Sequence, residues 1–168
     1  QVDTRDNKTV YSGSQFGFYG RRSTDGTGKR LFIYPRPDLG EGKYRFNWQT
    51  PIWLSKHNQD IFYYGSNKFH RSMQKADDLQ TLSGDLTNGG KEGDIPFGTS
   101  TSLVESPMKF GLIYFGTDDG NIQVSKDAGY TWTKINNTIP KNFQGLYVSR
   151  VTPSAFKESR VYVSLNGY

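Results

Sequence analysis

The apolar residues of this sequence recur in short runs that each end at a small residue. The last residues of the four runs are 52, 51 and 48 positions apart, and they are Gly13, Gly65, Gly116 and Ser164. A serine lies ten positions before each of the last three, at Ser55, Ser106 and Ser154. A period near 50 residues, with about four short strands in each unit, is typical of the blades of a β-propeller.

The repeat predicts two whole units and two partial ones. We predict strands at 47–54, 61–65, 69–72 and 79–83 in the second unit, and at 99–105, 112–117, 121–125 and 131–136 in the third. The first unit lacks an innermost strand, and the last unit ends after its second. The predicted fold is all-β: consecutive four-stranded blades of a β-propeller, with a partial blade at 1–45, blades at 46–98 and 99–147, and a partial blade at 148–168.

So few blades do not close a ring, and repeat units bury their faces only against neighbours. We therefore expect a segment of a larger propeller, a fragment whose remaining blades belong to the same chain. Assembly with other copies is the alternative.

One turn has a distinctive pattern, Ser-x-Asp-x-Gly-x-Thr-Trp, made by Ser125, Asp127, Gly129, Thr131 and Trp132. An aspartate in a turn accepts hydrogen bonds from nearby main-chain N–H groups, and a glycine readily takes a left-handed conformation. The tryptophan has the area to anchor an outer strand. We predict a structural role for these five residues.

The same eight residues resemble the Asp box of the bacterial neuraminidase repeat, which occurs in sialidases, xyloglucanases and sortilin-type receptors. Together with residues 44–52, 61–72 and 83–87, they make the chain similar to the sortilin-like group whose members are often labelled glycosyl hydrolases. The resemblance implies a β-propeller, an Asp box on the outer turn of a blade, and a secreted, periplasmic or cell-surface location. It does not define a reaction.

Composition narrows the class of protein. Aromatic residues make up 15% of the chain and glycines number 19, which favours short strands and tight turns over disorder. The net charge is +5, but the basic residues are scattered, so we expect no nucleic-acid partner. No apolar run approaches the length of a membrane span. Cysteine is absent, the two histidines lie thirteen residues apart, and we expect neither a metal nor a cofactor.

The candidate ligand-binding residues are Arg45, Asn47 and Trp48, at the predicted entrance of an inner strand. Arginine can bind a carboxylate, asparagine can bond sugar hydroxyls, and tryptophan can stack on a pyranose ring. The structural alternative is that Trp48 packs between blades and Arg45 pairs with a nearby aspartate.

Glycoside hydrolysis would require two carboxylates about 5 to 9.5 Å apart. The best candidate pair is Glu105, on a predicted inner strand, with Glu92 or Asp94 from the loop before it. A salt-bridged structural role is the alternative for Glu105. The hypothesis from sequence is therefore a scaffold that binds a glycan or a peptide on its loop face; the alternative is part of a glycoside hydrolase, sialidase-like or xyloglucanase-like.

Overall fold

The computed structural model describes residues 1–167 and shows an all-β chain with two short 3₁₀ helices. Its strands are β1 (Thr9–Gly13), β2 (Tyr19–Ser23), β3 (Leu31–Ile33), β4 (Ile52–Leu54), β5 (Phe62–Gly65), β6 (Phe69–Ser72), β7 (Gln80–Thr81), β8 (Ser100–Glu105), β9 (Ile113–Thr117), β10 (Ile122–Ser125), β11 (Thr133–Lys134), β12 (Tyr147–Pro153) and β13 (Val161–Asn166). The 3₁₀ helices, Asn136–Thr138 and Lys141–Phe143, lie between β11 and β12.

These strands form four antiparallel sheets in which each strand pairs with its neighbours in the chain. The sheets are β1-β2-β3, β4-β5-β6-β7, β8-β9-β10-β11 and β12-β13, and we refer to them as the first to the fourth sheet. The expected all-β fold of small successive sheets is confirmed.

The first sheet is more complete than the sequence indicated. Val2 forms an antiparallel bridge to Val10 on β1. The N–H of Tyr11 donates to the carbonyl of Gln1, and the N–H of Asp3 donates to the carbonyl of Thr9. Residues 1–3 therefore take the position of an innermost strand, whereas the sequence repeat predicts none in this unit.

The inner strand of the second sheet is shorter than predicted. It begins at Ile52, not at Asn47, because residues 47–50 form a turn. The side-chain oxygen of Asn47 accepts a hydrogen bond from the N–H of Gln49, and the Thr50 hydroxyl donates to the carbonyl of Asn47. These local bonds replace strand pairing.

Three apolar clusters lie between successive sheets. Phe62 and Tyr64 of β5 face the first sheet, and Tyr63 between them faces the third. On β9, Phe115 likewise faces the second sheet and Tyr114 the fourth. Because side chains alternate along a strand, a sheet that is covered on both faces has apolar residues at every position of its central strand.

The repeated serines close the hairpins between the first and second strands. Ser55, Ser106 and Ser154 are buried. Their hydroxyl oxygens accept main-chain hydrogen bonds from His57, Met108 and Phe156 respectively, each two residues further on. The serine repeat therefore marks one turn type that occurs three times.

Candidate functional site

The first strands of the second, third and fourth sheets lie side by side, and side-chain hydrogen bonds join those of the third and fourth sheets. The hydroxyl of Thr101 on β8 donates to the carbonyl of Val148 on β12, at 2.5 Å. The N–H of Val151 donates back to the hydroxyl of Ser102, at 3.0 Å. These bonds fix β12 against β8, so the innermost strands form one continuous surface.

Two adjoining depressions of about 590 and 460 Å³ run along this surface, and we call them together the first-strand groove. Both are lined by Gln1, Gln49, Pro51, Ile52 and Thr101. Trp48 lies at one end and Arg150 at the other. Arg150 is exposed, and within residues 1–167 it is the one lining residue whose side chain is charged.

The edge of β4 in this groove binds an amide group. The side-chain amide of Gln1 donates to the carbonyl of Ile52, at 2.6 Å, and accepts from the N–H of Leu54, at 2.7 Å. This is the two-bond pattern that a main-chain peptide unit makes when a strand is added to an edge. The edge of β4 therefore bonds a planar amide in strand-like geometry, and the Gln1 side chain provides that amide here.

Of the three candidate ligand-binding residues, Trp48 alone lies open to a ligand in the groove. Its side chain is 57% exposed and meets the Phe16 ring edge-to-face, with centroids 5.2 Å apart. The side-chain amide of Asn47 donates to the Thr99 hydroxyl at 2.9 Å, joining the second and third sheets. Asn47 is therefore engaged in holding the scaffold.

Arg45 anchors the loop at residues 85–98. Its guanidinium donates to Asp85 at 2.6 Å, to the Thr87 hydroxyl at 2.9 Å and to the carbonyl of Gly98 at 3.0 Å. Burial acts to raise the pKa of Asp85, but the hydrogen bonds from Arg45 and Thr87 outweigh it, and the net pKa is lowered. The pairing of Arg45 with a nearby aspartate is thus present in the structure.

The structure does not bring the three candidate catalytic carboxylates together. Glu105 is 1% exposed and accepts hydrogen bonds from the Ser55 hydroxyl at 2.5 Å, the Tyr63 hydroxyl at 2.8 Å and the N–H of Gly111 at 2.9 Å. Glu105 is the last residue of β8, whereas the loop with Glu92 and Asp94 comes before Ser100, the first residue of β8. The strand from Ser100 to Glu105 spans about 17 Å. Glu92 and Asp94 are both exposed.

The Asp-box residues form a closed network on the turn between β10 and β11. Asp127 accepts hydrogen bonds from the Ser125 hydroxyl and from the N–H and hydroxyl of Thr131, and the Thr131 bonds lower the pKa of Asp127 to about 2. The Trp132 indole donates to the carbonyl of Gly129, and its ring packs against Phe69, with centroids 5.1 Å apart. The turn thereby anchors the third sheet on the second.

Residues 72–78 take the place of the Asp box in the second sheet without its sequence motif, and they form a similar hydrogen-bonded turn. The Ser72 hydroxyl accepts hydrogen bonds from the N–H groups of Gln74 and Ala76. Asp78 accepts from the Ser72 hydroxyl and from the N–H of Met73 and of Gln74. The carboxylate lies six residues after the serine and not two, so the spacing of the motif concealed it.

Within residues 1–167, no group of three or more histidine, aspartate or glutamate side chains is placed to hold a metal ion. That part of the chain also contains no helix with the length and apolar character needed to cross a bilayer.

The fold and the groove define a class of protein: successive antiparallel sheets stacked as the blades of a partial β-propeller. Among solved structures, the chain is similar to YCF48 bound to D1 peptide, with a TM-score of 0.50 and 13% sequence identity. The match covers 76% of this chain and 36% of that one, so the chain corresponds to about a third of YCF48. No protein-family model matches the sequence, and no curated protein matches it.

Proposed function

We propose that this chain is a binding scaffold that holds an extended peptide in the first-strand groove. The observation that carries the proposal is the pairing of the Gln1 amide with Ile52 and Leu54 on the edge of β4. A bound peptide offers the same donor and acceptor at every residue, so it can form the same two bonds where it takes the place of the Gln1 side chain. YCF48 was solved with a peptide, which supports this ligand class for a similar fold.

The electrostatics of the groove favour a peptide with an acidic residue near Arg150. Arg150 makes no ion pair within the described residues, and no carboxylate side chain lines the groove. A carboxylate on the ligand can therefore form a bidentate pair with the guanidinium without displacing an internal partner. Trp48, at the opposite end, offers an aromatic face to an apolar side chain.

A glycan is the second candidate, because the exposed Trp48 ring also suits a pyranose face. The groove differs from a surface that only stacks sugars, because the edge of β4 in it binds an amide group. The glycoside hydrolase alternative has no comparable support, since Glu105 is enclosed by its three donors and separated from Glu92 and Asp94.

The test is a random peptide array and a glycan array, each probed with the folded protein. We expect peptide binders enriched in acidic residues, with binding reduced at least tenfold by Trp48→Ala and by Arg150→Gln. The matched control is Phe156→Ala, because Phe156 is 94% exposed but lies on the turn between β12 and β13. Binding of glycans alone, or equal effects of Trp48→Ala and Phe156→Ala, would contradict the proposal.

We also propose that the chain belongs with the Asp-box propellers of the sortilin-like group and works outside the cytoplasm. Further blades of the same chain, or other copies of it, would complete the ring. The support is the Ser125–Trp132 turn, with the hydrogen bonds described above. Protease digestion of cells stripped of any outer membrane, with the cytoplasmic membrane intact, tests the location: an extracytoplasmic chain is degraded or released, whereas a cytoplasmic chain is protected.

A further inference from the structure

The hairpin turns that follow the first strands of the second, third and fourth sheets contact one another in a row. These turns are residues 55–61, 106–112 and 154–160. The ring of His57 bonds to the carbonyl of Ser106, at 2.9 Å, and meets the Phe110 ring edge-to-face, with centroids 6.1 Å apart. Lys109 pairs with Glu158 of the next turn at 3.1 Å. The three turns therefore form one continuous surface, which we call the hairpin ridge.

The hairpin ridge exposes large apolar side chains. Met108 is 46% exposed, Phe110 is 45% exposed and Phe156 is 94% exposed. The third sheet lies between the second and the fourth, so the exposure of Met108 and Phe110 does not depend on any further blade. Phe156 takes the position of Met108 in the repeated turn, two residues after the buried serine. Apolar side chains grouped at the tips of turns indicate an interaction surface.

The unpaired charge of the ridge is positive. Lys56, Lys157 and Arg160 are exposed and form no ion pair within the described residues. The two carboxylates of the ridge, Asp60 and Glu158, both form ion pairs with basic residues. An anionic surface would therefore be attracted to the ridge, since no unpaired carboxylate is there to oppose it.

The opposite end of the same strands has a different balance of charge. The loops there also expose apolar side chains, including Leu39 and Ile95. However, Asp38, Glu92 and Asp94 are exposed in these loops and form no ion pair within residues 1–167. Unpaired carboxylates beside the apolar side chains oppose contact with an anionic surface. The ridge is therefore the end of the sheets that suits such a surface.

We propose that the hairpin ridge binds the surface of an anionic lipid bilayer. The side chains of Met108, Phe110 and Phe156 enter the boundary between headgroups and acyl chains, and the unpaired cations of the ridge lie against lipid phosphates. Apolar insertion and electrostatic attraction act together, as in other interfacial binding. No residue of the ridge lines the first-strand groove, so the proposal does not rest on the peptide-binding function.

The test is flotation of the folded protein with phosphatidylcholine vesicles, with and without phosphatidylglycerol. We expect binding at least tenfold tighter to the vesicles that contain phosphatidylglycerol, and weaker binding to them as salt is added. The charge variant Lys56→Gln, Lys157→Gln, Arg160→Gln should remove this preference.

A second variant removes the apolar side chains and keeps the charges. The triple variant Met108→Ser, Phe110→Ser, Phe156→Ser should bind the anionic vesicles at least tenfold more weakly, because burial of its side chains in the bilayer is lost. Peptide binding in the first-strand groove should be unchanged in both ridge variants, which shows that they are folded.

Two matched controls make the same kinds of change at the opposite end of the strands. Each places one exposed residue in the loop before β4, β8 and β12: the charge control is Arg36→Gln, Lys91→Gln, Lys141→Gln, and the apolar control is Leu39→Ser, Ile95→Ser, Phe143→Ser. Both should bind anionic vesicles as the unsubstituted protein does.

Three results would overturn the proposal: equal binding to the two kinds of vesicle, binding to neither, or equal losses in the ridge variants and their controls. Soluble polyglutamate is the remaining probe. Binding of polyglutamate through the ridge, without binding of vesicles, would show that the partner is an acidic protein and would also overturn it.

Discussion

The guanidinium of Arg71 on β6 donates a hydrogen bond to the main-chain carbonyl of Ala128, in the Asp-box turn of the next sheet, at 2.7 Å. Arg21 on β2 donates in the same way to the carbonyl of Lys75 in the second sheet. The two arginines are equivalent, because Arg21 lies opposite Tyr11 and Arg71 lies opposite Tyr63 in their sheets. One arginine therefore fastens each of the first two sheets to a turn of the following sheet.

Arg71→Met should lower the free energy of unfolding by about 2–3 kcal/mol, as is typical when a buried hydrogen bond from a charged group is lost. Arg71 is 8% exposed, and its guanidinium also lies over the Tyr130 ring, 4.7 Å from the centroid. Methionine would leave the Ala128 carbonyl without that donor. Urea unfolding measures the change. Arg22→Met is the control, because Arg22 is exposed, and equal losses in the two variants would refute this role for Arg71.

Glu105 is expected to stabilise the junction of the second and third sheets. Glu105→Gln should lower the free energy of unfolding by about 1–3 kcal/mol. The glutamine N–H₂ group would face hydrogen-bond donors at a position where the carboxylate accepts three hydrogen bonds. Burial and the neighbouring carboxylate raise the pKa of Tyr63, which keeps its hydroxyl a donor. Peptide binding in the first-strand groove should be unchanged in the folded variant. Unaltered stability with lost binding would instead favour a ligand-contacting role.

His70 should make stability fall in mild acid. Burial lowers the pKa of His70 to about 3, so the folded state keeps it neutral while the unfolded chain takes up a proton near pH 6.5. The stabilisation that the neutral His70 gives the folded state is therefore present above pH 6.5 and is lost as the pH falls towards 3. Between pH 7 and pH 5 the loss is about 2 kcal/mol, at about 1.4 kcal/mol per pKa unit.

The control for this pH dependence is His70→Gln, which does not titrate and can bond to the Ser66 and Thr81 hydroxyls that His70 contacts at 2.7 and 3.0 Å. Its unfolding free energy should change less between pH 7 and pH 5 than that of the unsubstituted protein. An identical slope in the two proteins would assign the acid sensitivity to other groups.

The sequence was sufficient to predict the repeat, but not to predict the contacts between the sheets. Spacing identified the strands that contain Gly65 and Gly116, because their apolar residues are fixed by burial on both faces. It could not reveal the arginine contacts, since Arg21 lies eight residues after Gly13 and Arg71 lies six after Gly65. Turn length differs between the blades, so residues that are equivalent in space are not equally spaced in the chain.

The candidate site was partly predictable for a similar reason. An aromatic residue before an inner strand suggested Trp48, which lies at the groove. The main-chain edge of β4 has no side-chain signature, so no motif could identify it. The distance between Glu105 and the loop of Asp94 depends on the direction of β8, which residue types alone do not encode.

Gly129 tests the packing of the Asp-box turn on the second sheet. Its φ is +98°, and a Cβ at this position would collide with the ring of Phe69. Gly129→Ala should therefore add backbone strain of about 1–2 kcal/mol and a steric clash that together lower the melting temperature markedly. Gly26→Ala is the matched control: its φ is +74°, and nothing lies within 4 Å of its Cβ position, so only the strain applies. Equal shifts in melting temperature for the two variants would show that the contact of Gly129 with Phe69 does not stabilise the stacked sheets.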